Sequence, residues 1–235
     1  MDYKKILTFS FDDGITQDER FIEILNKYGL KGTFNLNSEL LGTDGYLLIN
    51  GKKIQHNKIA LNKIKSVYKG HEIAAHTLMH PNLTALSPEE VVRQVEKDRL
   101  NLSNLAEYEV TGFAYPCGGI NSNKAIADLI KYKTNIEYAR TIVHSYSFNL
   151  QDDLFLFKPT LSLTKNKEKL LAMADEFLNS ECEGVKLFYI WGHSYELDVD
   201  NSWGYFEDVC KLLSNKKDVL YCTNKQAFDY INKNK

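Results

Sequence analysis

The alternation of short apolar runs with helix-like segments is the feature that most constrains the fold. Runs rich in β-branched and aromatic residues, such as those at 4–11 and 32–37, are each followed by a segment with apolar residues every three or four positions. The segments at 20–29, 59–70 and 203–213 are examples of this helical periodicity, and the last predicted strand lies at 219–223. Alternation of this kind predicts an α/β fold in which parallel strands and crossover helices form a closed or nearly closed (β/α) barrel.

Two local signals refine this prediction. Ser87, followed by Pro88 and by Glu90 three residues later, is typical of a helix N-terminus with a capping box. The segment 42–56 interrupts the alternation, and its Asn50-Gly51 pair predicts a hairpin turn. We expect this segment to be an insertion at the mouth of the barrel.

Composition favours one globular domain over residues 1–235 and excludes several other classes. Hydrophobic residues make up 43% and charged residues 26% of the chain, and no stretch is rich enough in Gly, Ser or Pro to be an interdomain linker. The formal net charge of −2 disfavours nucleic-acid binding, and no apolar run approaches the roughly 20 residues of a membrane span.

The four cysteines form no CxxC pair, so neither a thiolate zinc site nor a dense disulfide framework is predicted. The first residues are interpreted as a strand, since no small-residue cleavage site follows them. We therefore expect a cytoplasmic protein, or an extracellular one if an export signal has been removed. The oligomeric state is not predicted.

Polar residues follow four of the predicted strands. In a parallel barrel, residues at the carboxyl ends of strands meet at one rim, where catalytic groups lie. Each signal alone is commonly structural, because an Asp pair before Gly favours a turn and a histidine can be a satisfied core residue. Together, two imidazoles and a carboxylate suit a divalent metal such as zinc, with positions left open for water. These residues are Asp12 and Asp13, His76 and His80, the run Pro116–Gly119, and His193.

The segment HEIAAH at 71–76 looks like a zinc-protease helix but lacks the required spacing. That chemistry needs histidines four apart on a helix, whereas His71 and His76 are five apart. We expect His71 to be a structural residue at the entry of its strand, and His76 and His80 to be the metal-binding pair.

The strings SFDDG at 10–14, HTLMH at 76–80, FAYPCGG at 113–119 and WGHS at 191–194 resemble, in this order, the polysaccharide deacetylase family. This family is also known as the NodB-homology domain or carbohydrate esterase family 4, and the resemblance runs from Ile6 to about Thr223. It implies a distorted (β/α)7–8 barrel and a metal-dependent hydrolase that removes acetyl groups from sugars.

The resemblance also implies the roles of individual residues. Asp13, His76 and His80 would bind the divalent metal, most simply Zn²⁺, with Co²⁺, Ni²⁺ or Mn²⁺ as alternatives. Asp12 would be the general base and His193 the general acid. The metal would polarise the acetyl carbonyl and lower the pKa of its bound water.

The third motif departs from the family pattern. Pro116 and Gly118 match it, and the backbone N–H of Cys117 would stabilise the oxyanion. The family commonly begins this motif with Arg, where this chain has Ala114. Arg140 is the candidate replacement, with ordinary surface or interstrand pairing as the alternative.

The family's Asp-Trp motif has no clear equivalent, because Asp152 and Asp153 are not followed by Trp. Trp191 or Trp203 would offer a sugar ring an aromatic face, unless each is simply a core residue. Tyr115 is a further candidate for substrate contact or support.

Glu196 would orient His193 or bind a substrate hydroxyl, with a solvated loop carboxylate as the alternative. For Cys117, a nucleophilic role is not predicted, since the histidines are better used as ligands.

The sequence therefore predicts a carbohydrate deacetylase acting on an N-acetylated sugar or polysaccharide, with an O-acetylated sugar as the closest variant. A different barrel metallohydrolase, such as an amidohydrolase, would need further His or Asp ligands that this chain does not place at strand ends. A carbohydrate-binding domain that has lost catalysis is the non-enzyme alternative. The missing motif residues favour it, and the retained Asp and His residues oppose it.

Overall fold

The computed structural model describes residues 3–181 and 183–234, and Cys182 lies outside these ranges. Strands and helices alternate along most of the chain, as the sequence predicts. The strands are β1 (Lys5–Asp12), β2 (Gly32–Leu36), β3 (Tyr46–Ile49), β4 (Lys52–Gln55), β5 (Glu72–Ala75), β6 (Gly112–Ala114), β7 (Tyr138–Arg140), β8 (Leu161–Ser162), β9 (Lys186–Gly192) and β10 (Val219–Tyr221). The helices are α1 (Gln17–Lys27), α2 (Ile64–Val67), α3 (Pro88–Ala106), α4 (Lys124–Lys133), α5 (Lys167–Asn179), α6 (Glu196–Val199), α7 (Trp203–Leu213) and α8 (Asn224–Lys233).

The main sheet is parallel and curls upon itself. Its strand order is β7-β6-β5-β2-β1-β9-β8, and β10 pairs with the first residues of β1. Between β7 and β8, the backbone of residues 154–160 forms hydrogen bonds with both β7 and β9. The N–H of Phe157 donates to the carbonyl of Ala139 on β7 at 3.1 Å, and that of Thr160 to Tyr189 on β9 at 2.8 Å. The predicted distorted α/β barrel in a single domain is confirmed.

The core follows from the alternation of side chains along β1. Leu7, Phe9 and Phe11 face the surrounding helices and belong to the larger hydrophobic cluster. The polar residues between them, Thr8 and Ser10, are equally buried on the other face of the strand. Asp12 continues this second series, so the strand delivers a carboxylate into the barrel at its carboxyl end.

The helices and their caps agree with the sequence predictions except for three differences. Ser87 caps α3 by accepting a hydrogen bond from the N–H of Glu90, but the Glu90 side chain bonds to Arg93 and Gln94 instead of completing a capping box. Residues 59–70, predicted as a helix, contain only a 3₁₀ turn at Leu61–Lys63 and the one-turn α2.

The third difference is α8, which the sequence interpretation missed. Thr223 and Gln226 form a complete capping box at its start. Phe228 on this helix contacts Tyr138 and Phe157, with ring centroids 4.8 and 5.0 Å apart. Because α8 follows β10, which pairs with the beginning of β1, the helix covers the end of the barrel opposite to the carboxyl rim.

The segment at 46–55 is an antiparallel hairpin of β3 and β4. Its turn residues, Asn50 and Gly51, both have positive φ angles of 51° and 74°, which an Asn-Gly pair adopts at low cost. The hairpin lies at the carboxyl rim, since His56 and Lys58, just after β4, line the same pocket as Asp13. In the described part of the chain, no helix combines the length and apolar character needed to cross a membrane.

Candidate active site

The polar residues that follow the strands meet in one pocket at the carboxyl rim. Its volume is about 520 Å³. Asp12, Asp13, His76 and His80 line it together. The lining also includes the hairpin segment and the side chains of Cys117, Lys165, Trp191 and His193.

Asp13, His76 and His80 form a compact trio of possible metal ligands. Nε2 of His76 lies 4.0 Å and Nε2 of His80 lies 3.6 Å from Oδ1 of Asp13, and one ligand atom from each residue lies within 4.8 Å of the others. Two ligands at about 2.1 Å from a tetrahedral zinc ion are separated by roughly 3.4 Å, so small side-chain rotations suffice to share an ion. The trio therefore fits one divalent cation.

The imidazoles are held in the form that binds a metal. Nδ1 of His76 lies 2.8 Å from the carbonyl of Ala114, which can only accept, so Nδ1 carries the proton and Nε2 presents its lone pair to Asp13. Burial lowers the pKa of His76 to about 4 and also lowers the pKa of His80. Both rings are neutral at pH 7.

Asp13 is held as a carboxylate by two groups that the sequence analysis did not identify. Nε2 of His56 donates to Oδ2 of Asp13 at 3.1 Å, and Nζ of Lys58 lies 3.6 Å from Oδ1. Burial would raise the pKa of Asp13, but this hydrogen bond and the lysine charge hold that pKa well below its usual value. Lys58 also donates to the backbone carbonyl of Asp13 at 2.7 Å, which supports the positive φ of 85° at this residue.

Asp12 faces an arginine within the barrel. Its Oδ1 accepts hydrogen bonds from Nη2 of Arg140 and from Nδ2 of Asn35, and both Asp12 and Arg140 are 1% exposed. Burial would raise the pKa of Asp12, but Arg140, with His76 and His193, lowers it. Arg140 is the register partner of Ala114 on the adjacent strand, so it reaches Asp12 from the position next to the one where the resemblance leads us to expect Arg.

His193 lies across the pocket floor from both aspartates. Its Nε2 is 4.0 Å from Oδ2 of Asp12 and 4.0 Å from Oδ2 of Asp13. Its Nδ1 donates to Oε1 of Glu196 at 3.1 Å, and Glu196 in turn accepts from the hydroxyl of Thr164. Burial alone would lower the pKa of His193, but the bond and charge of Glu196 and the two aspartates raise it to about 9. Glu196 thus orients an imidazolium.

Cys117 lies beside His80 and presents its backbone to the pocket. Its N–H points toward Nε2 of His80 at 3.5 Å, so this donor faces the same space as the ligand trio. Its φ is 68°, in the left-handed region. The thiol donates to the carbonyl of His80 at 3.3 Å, and burial raises its pKa. A neutral thiol is a poor nucleophile, in agreement with the sequence analysis.

Trp191 is placed at the pocket, and Trp203 is not. Trp191 lines the wall and is 2% exposed, with its ring 4.7 Å from the guanidinium carbon of Arg140. Trp203 begins α7, where its indole N–H donates to Asp198 at 2.8 Å. It is a structural residue, so the sugar-stacking alternative considered for it is wrong.

Tyr115 and Pro116 support the third motif. Both are buried, and the hydroxyl of Tyr115 donates to the carbonyl of Phe155 at 2.8 Å while its ring lines the pocket. Asn121 ties this loop by donating to the carbonyls of Pro116 and Cys117, both at 2.9 Å. Asp153 lies elsewhere and caps the turn at Phe155.

Asp98 on α3 is a further residue that the sequence analysis missed. It is fully buried, and its two oxygens accept the backbone N–H groups of His76 at 2.9 Å and Ser38 at 2.7 Å. Burial raises its pKa to about 7. The sequence does contain a feature that could have identified Asp98. It lies three residues after Val95 and four before Leu102, on the apolar face of the helix, where a buried acid needs hydrogen-bond partners.

Comparison with known proteins places these features in a family. The family model described as "Polysaccharide deacetylase" matches residues 2–134. The peptidoglycan-N-acetylmuramic acid deacetylase PdaC of Bacillus subtilis is 27% identical over 120 residues, which are 50% of this chain and 22% of that protein. A second B. subtilis relative, YxkH, is matched over 39% of its length, so this chain spans well under half of either relative.

Solved structures share the fold at low sequence identity. A candidate polysaccharide deacetylase of Mycobacterium smegmatis has a TM-score of 0.72 at 13% identity, covering 100% of this chain and 92% of that one. The family 4 acetyl xylan esterase of Clostridium thermocellum, solved with a cobalt ion, has a TM-score of 0.58 at 14% identity, covering 95% and 90%. These similarities support the curled α/β barrel.

Proposed function

The chain belongs to the polysaccharide deacetylase family, and on that basis we propose that it is a metal-dependent hydrolase that removes acetyl groups from an acetylated sugar or polysaccharide. The observation that carries this proposal is the set of groups on the pocket floor. The trio of Asp13, His76 and His80 adjoins a carboxylate, Asp12, and an imidazolium, His193, whose Nε2 lies 4.0 Å from Oδ2 of Asp12 and from Oδ2 of Asp13. Hydrolysis of an amide or ester needs a base and an acid in such proximity.

Two nitrogens and one carboxylate oxygen are a donor set that zinc accepts, with Co²⁺, Ni²⁺ and Mn²⁺ as alternatives. A divalent cation bound there would polarise the acetyl carbonyl and make water a better nucleophile. The C. thermocellum esterase, which contains cobalt, supports a cation of this class.

The protein groups divide the proton transfers between them. Asp12, kept ionised by Arg140, accepts a proton from the attacking water. His193, with a pKa of about 9, is protonated at pH 7 and donates to the departing nitrogen or oxygen. The N–H of Cys117 donates to the oxyanion of the tetrahedral intermediate, a contribution of about 3 kcal/mol for one such donor in acyl transfer.

An N-acetylated sugar is the proposed substrate, with an O-acetylated sugar as the closest variant. The relatives include a protein named for N-acetylmuramic acid and one named for acetylated xylan. The leaving group of an amide needs a proton more than that of an ester, and His193 is placed to supply that proton. The cytoplasmic location stays a prediction.

Acetate release from a panel of N- and O-acetylated sugars, measured with EDTA and after addition of zinc, tests the proposal. We expect activity that EDTA abolishes and zinc restores. Asp12→Asn should lose most activity, and Asp153→Asn, a loop carboxylate outside the pocket, is the matched control. Sugar binding without acetate release under any metal would favour the alternative of a binding domain that has lost catalysis.

A further inference from the structure

One wall of the pocket is both basic and aromatic. This basic wall consists of His144, Tyr146, Lys165, Lys169 and Trp191. Lys165 and Trp191 line the pocket, and the other three lie next to them. The ring of His144 lies 6.0 Å from that of Trp191, and Nζ of Lys165 lies 5.2 Å from the Trp191 ring centroid. Nζ of Lys169 lies 3.7 Å from the ring centroid of Tyr146, whose hydroxyl is 3.0 Å from Nδ1 of His144. The five side chains are therefore contiguous.

Among the residues that the structure describes, the two lysines of this wall have no carboxylate partner. Neither Lys165 nor Lys169 has a carboxylate oxygen within 4.0 Å in the described ranges, whereas Lys167 between them pairs with Asp200. Two other cations of the site differ from these lysines, because each is paired with a carboxylate: Arg140 bonds to Asp12 and Lys58 bonds to Asp13. The positive charge of the wall is thus available to a ligand.

Buried donor groups without partners lie in the same wall. Nε1 of Trp191 and Nε2 of His144 are buried and have no hydrogen-bond partner among residues 3–181 and 183–234. An indole N–H can only donate, and a buried donor without an acceptor costs about 1–3 kcal/mol. Trp191 is 2% exposed and lines the pocket, so an acceptor brought by a ligand would satisfy this N–H.

The acidic groups near the wall do not cancel its charge. Glu196 interacts electrostatically with Lys165, but it is already bonded to His193 and Thr164. Asp44, just before β3, also lines the pocket. In the described part of the chain, no direct ion pair neutralises Lys165.

We propose that the basic wall is a subsite for an anionic group, a carboxylate or a phosphate, carried by the acetylated sugar. This inference rests on the proposed function, because the acetyl group would lie over Asp13, His76 and His80 while the anion contacts Lys165 and the Trp191 N–H. The trio, Lys165 and Trp191 line one pocket of about 520 Å³, which one substituted sugar can span. The proposed substrates of the deacetylase are therefore acetylated sugars that carry an acidic substituent.

Ligand-observed NMR titration of the full chain in EDTA tests this subsite, since chelation removes any metal that would bind the anion. The probes are N-acetylglucosamine, which is neutral, N-acetylmuramic acid, which carries a carboxylate, and N-acetylglucosamine 6-phosphate. We expect at least one anionic probe to bind about tenfold more tightly than the neutral sugar, as for a charge-assisted hydrogen bond. The two anionic probes distinguish carboxylate from phosphate.

Lys165→Gln should reduce the affinity for the anionic probe about tenfold, to that of the neutral sugar. Trp191→Phe, which keeps an aromatic ring but removes the indole N–H, should also reduce this affinity. Lys167→Gln, two residues further along at the start of α5 and paired with Asp200, is the matched control and should leave the preference unchanged. Equal affinity for charged and neutral sugars, no detectable binding of either anionic probe, or equal effects of the two lysine variants would overturn the subsite.

Acetate release from the same three sugars with zinc separates this inference from the proposed function. A charge preference in binding with no acetate release from any sugar would contradict the deacetylase function and leave the anion subsite standing. Acetate release with the same kcat/KM for neutral and anionic sugars would contradict the subsite and leave the function standing.

Discussion

Removal of Arg140 should shift the pH dependence of catalysis, because this residue sets the charge state of the proposed base. Asp12 is 1% exposed, and burial alone would raise its pKa. The guanidinium of Arg140 bonds directly to Oδ1 and is the main opposing cause, ahead of His76 and His193. In Arg140→Met, only Asn35 continues to donate to this oxygen from a side chain, so the pKa of Asp12 rises.

The sign and size of the effect follow from these contacts. A carboxylate is an active base only above its pKa, so raising that pKa moves the acid limb of the kcat/KM profile upward. An adjacent opposite charge typically shifts a carboxyl group by about 1–3 units, so the limb should move up by about 1–3 pH units. Activity should fall most at low pH and recover in part as the pH rises.

The same change should also destabilise the protein. Removing one partner of a buried ion pair costs about 3–5 kcal/mol. For a domain of this size, 1 kcal/mol lowers Tm by about 2–4 °C, so a decrease of roughly 6–20 °C is expected. Acetate release should be measured from about pH 3.5 to 10 at a temperature where circular dichroism shows the variant to be folded.

Arg99→Met is the matched control. Arg99 is also buried, at 3% exposure, but it pairs with Glu96 on α3, outside the pocket. This variant should lose stability without moving the acid limb. An unchanged acid limb in Arg140→Met, or the same displacement in both variants, would refute the role assigned to Arg140.

Further predictions concern the other groups of the site. Asp13→Asn should lose metal and activity together, whereas Asp12→Asn should keep the metal and lose about 10²–10⁴-fold in turnover, as elemental analysis and acetate release can show. His193→Ala should lower turnover with little loss of metal, and a large loss of metal would make it a ligand. Glu196→Gln should lower the pKa of His193 from about 9, so the basic limb of the kcat/KM profile should move down, and an unmoved limb would exclude the pairing. Replacing residues 46–55 by a short Gly linker should alter which acetylated sugar is used while metal content stays the same, and loss of folding would show that the hairpin belongs to the core.

Much of the fold could be predicted because its signals are local. Strand and helix periodicities, the Ser87 cap and the Asn50-Gly51 turn each depend on neighbouring residues. The prediction of one continuous helix over 59–70 was wrong, because the apolar residues of this segment anchor a turn and a short helix. The signal for α8 was present in the Thr223 and Gln226 capping box and was overlooked.

The site was less predictable, because its supporting contacts join distant parts of the chain. Residues at strand ends were identifiable from chain order, since parallel strands bring their carboxyl ends to one rim. His56 and Lys58 contact Asp13 from 43 and 45 positions away, through a hairpin whose orientation no local pattern determines. The unpartnered donor of Trp191 becomes visible only when its neighbours are known.

The arginine beside the base shows why a motif can lose a residue without the site losing its charge. The sequence shows Ala114 where the family has Arg, and chain order alone cannot decide between a functional and an ordinary role for Arg140. In the structure these two residues are register partners on adjacent parallel strands, about 4.8 Å apart at the spacing of a sheet. A guanidinium on a long, flexible side chain reaches the same carboxylate from either strand. A positive charge beside Asp12 can therefore come from any residue that lies at this point of the barrel, whichever motif that residue belongs to.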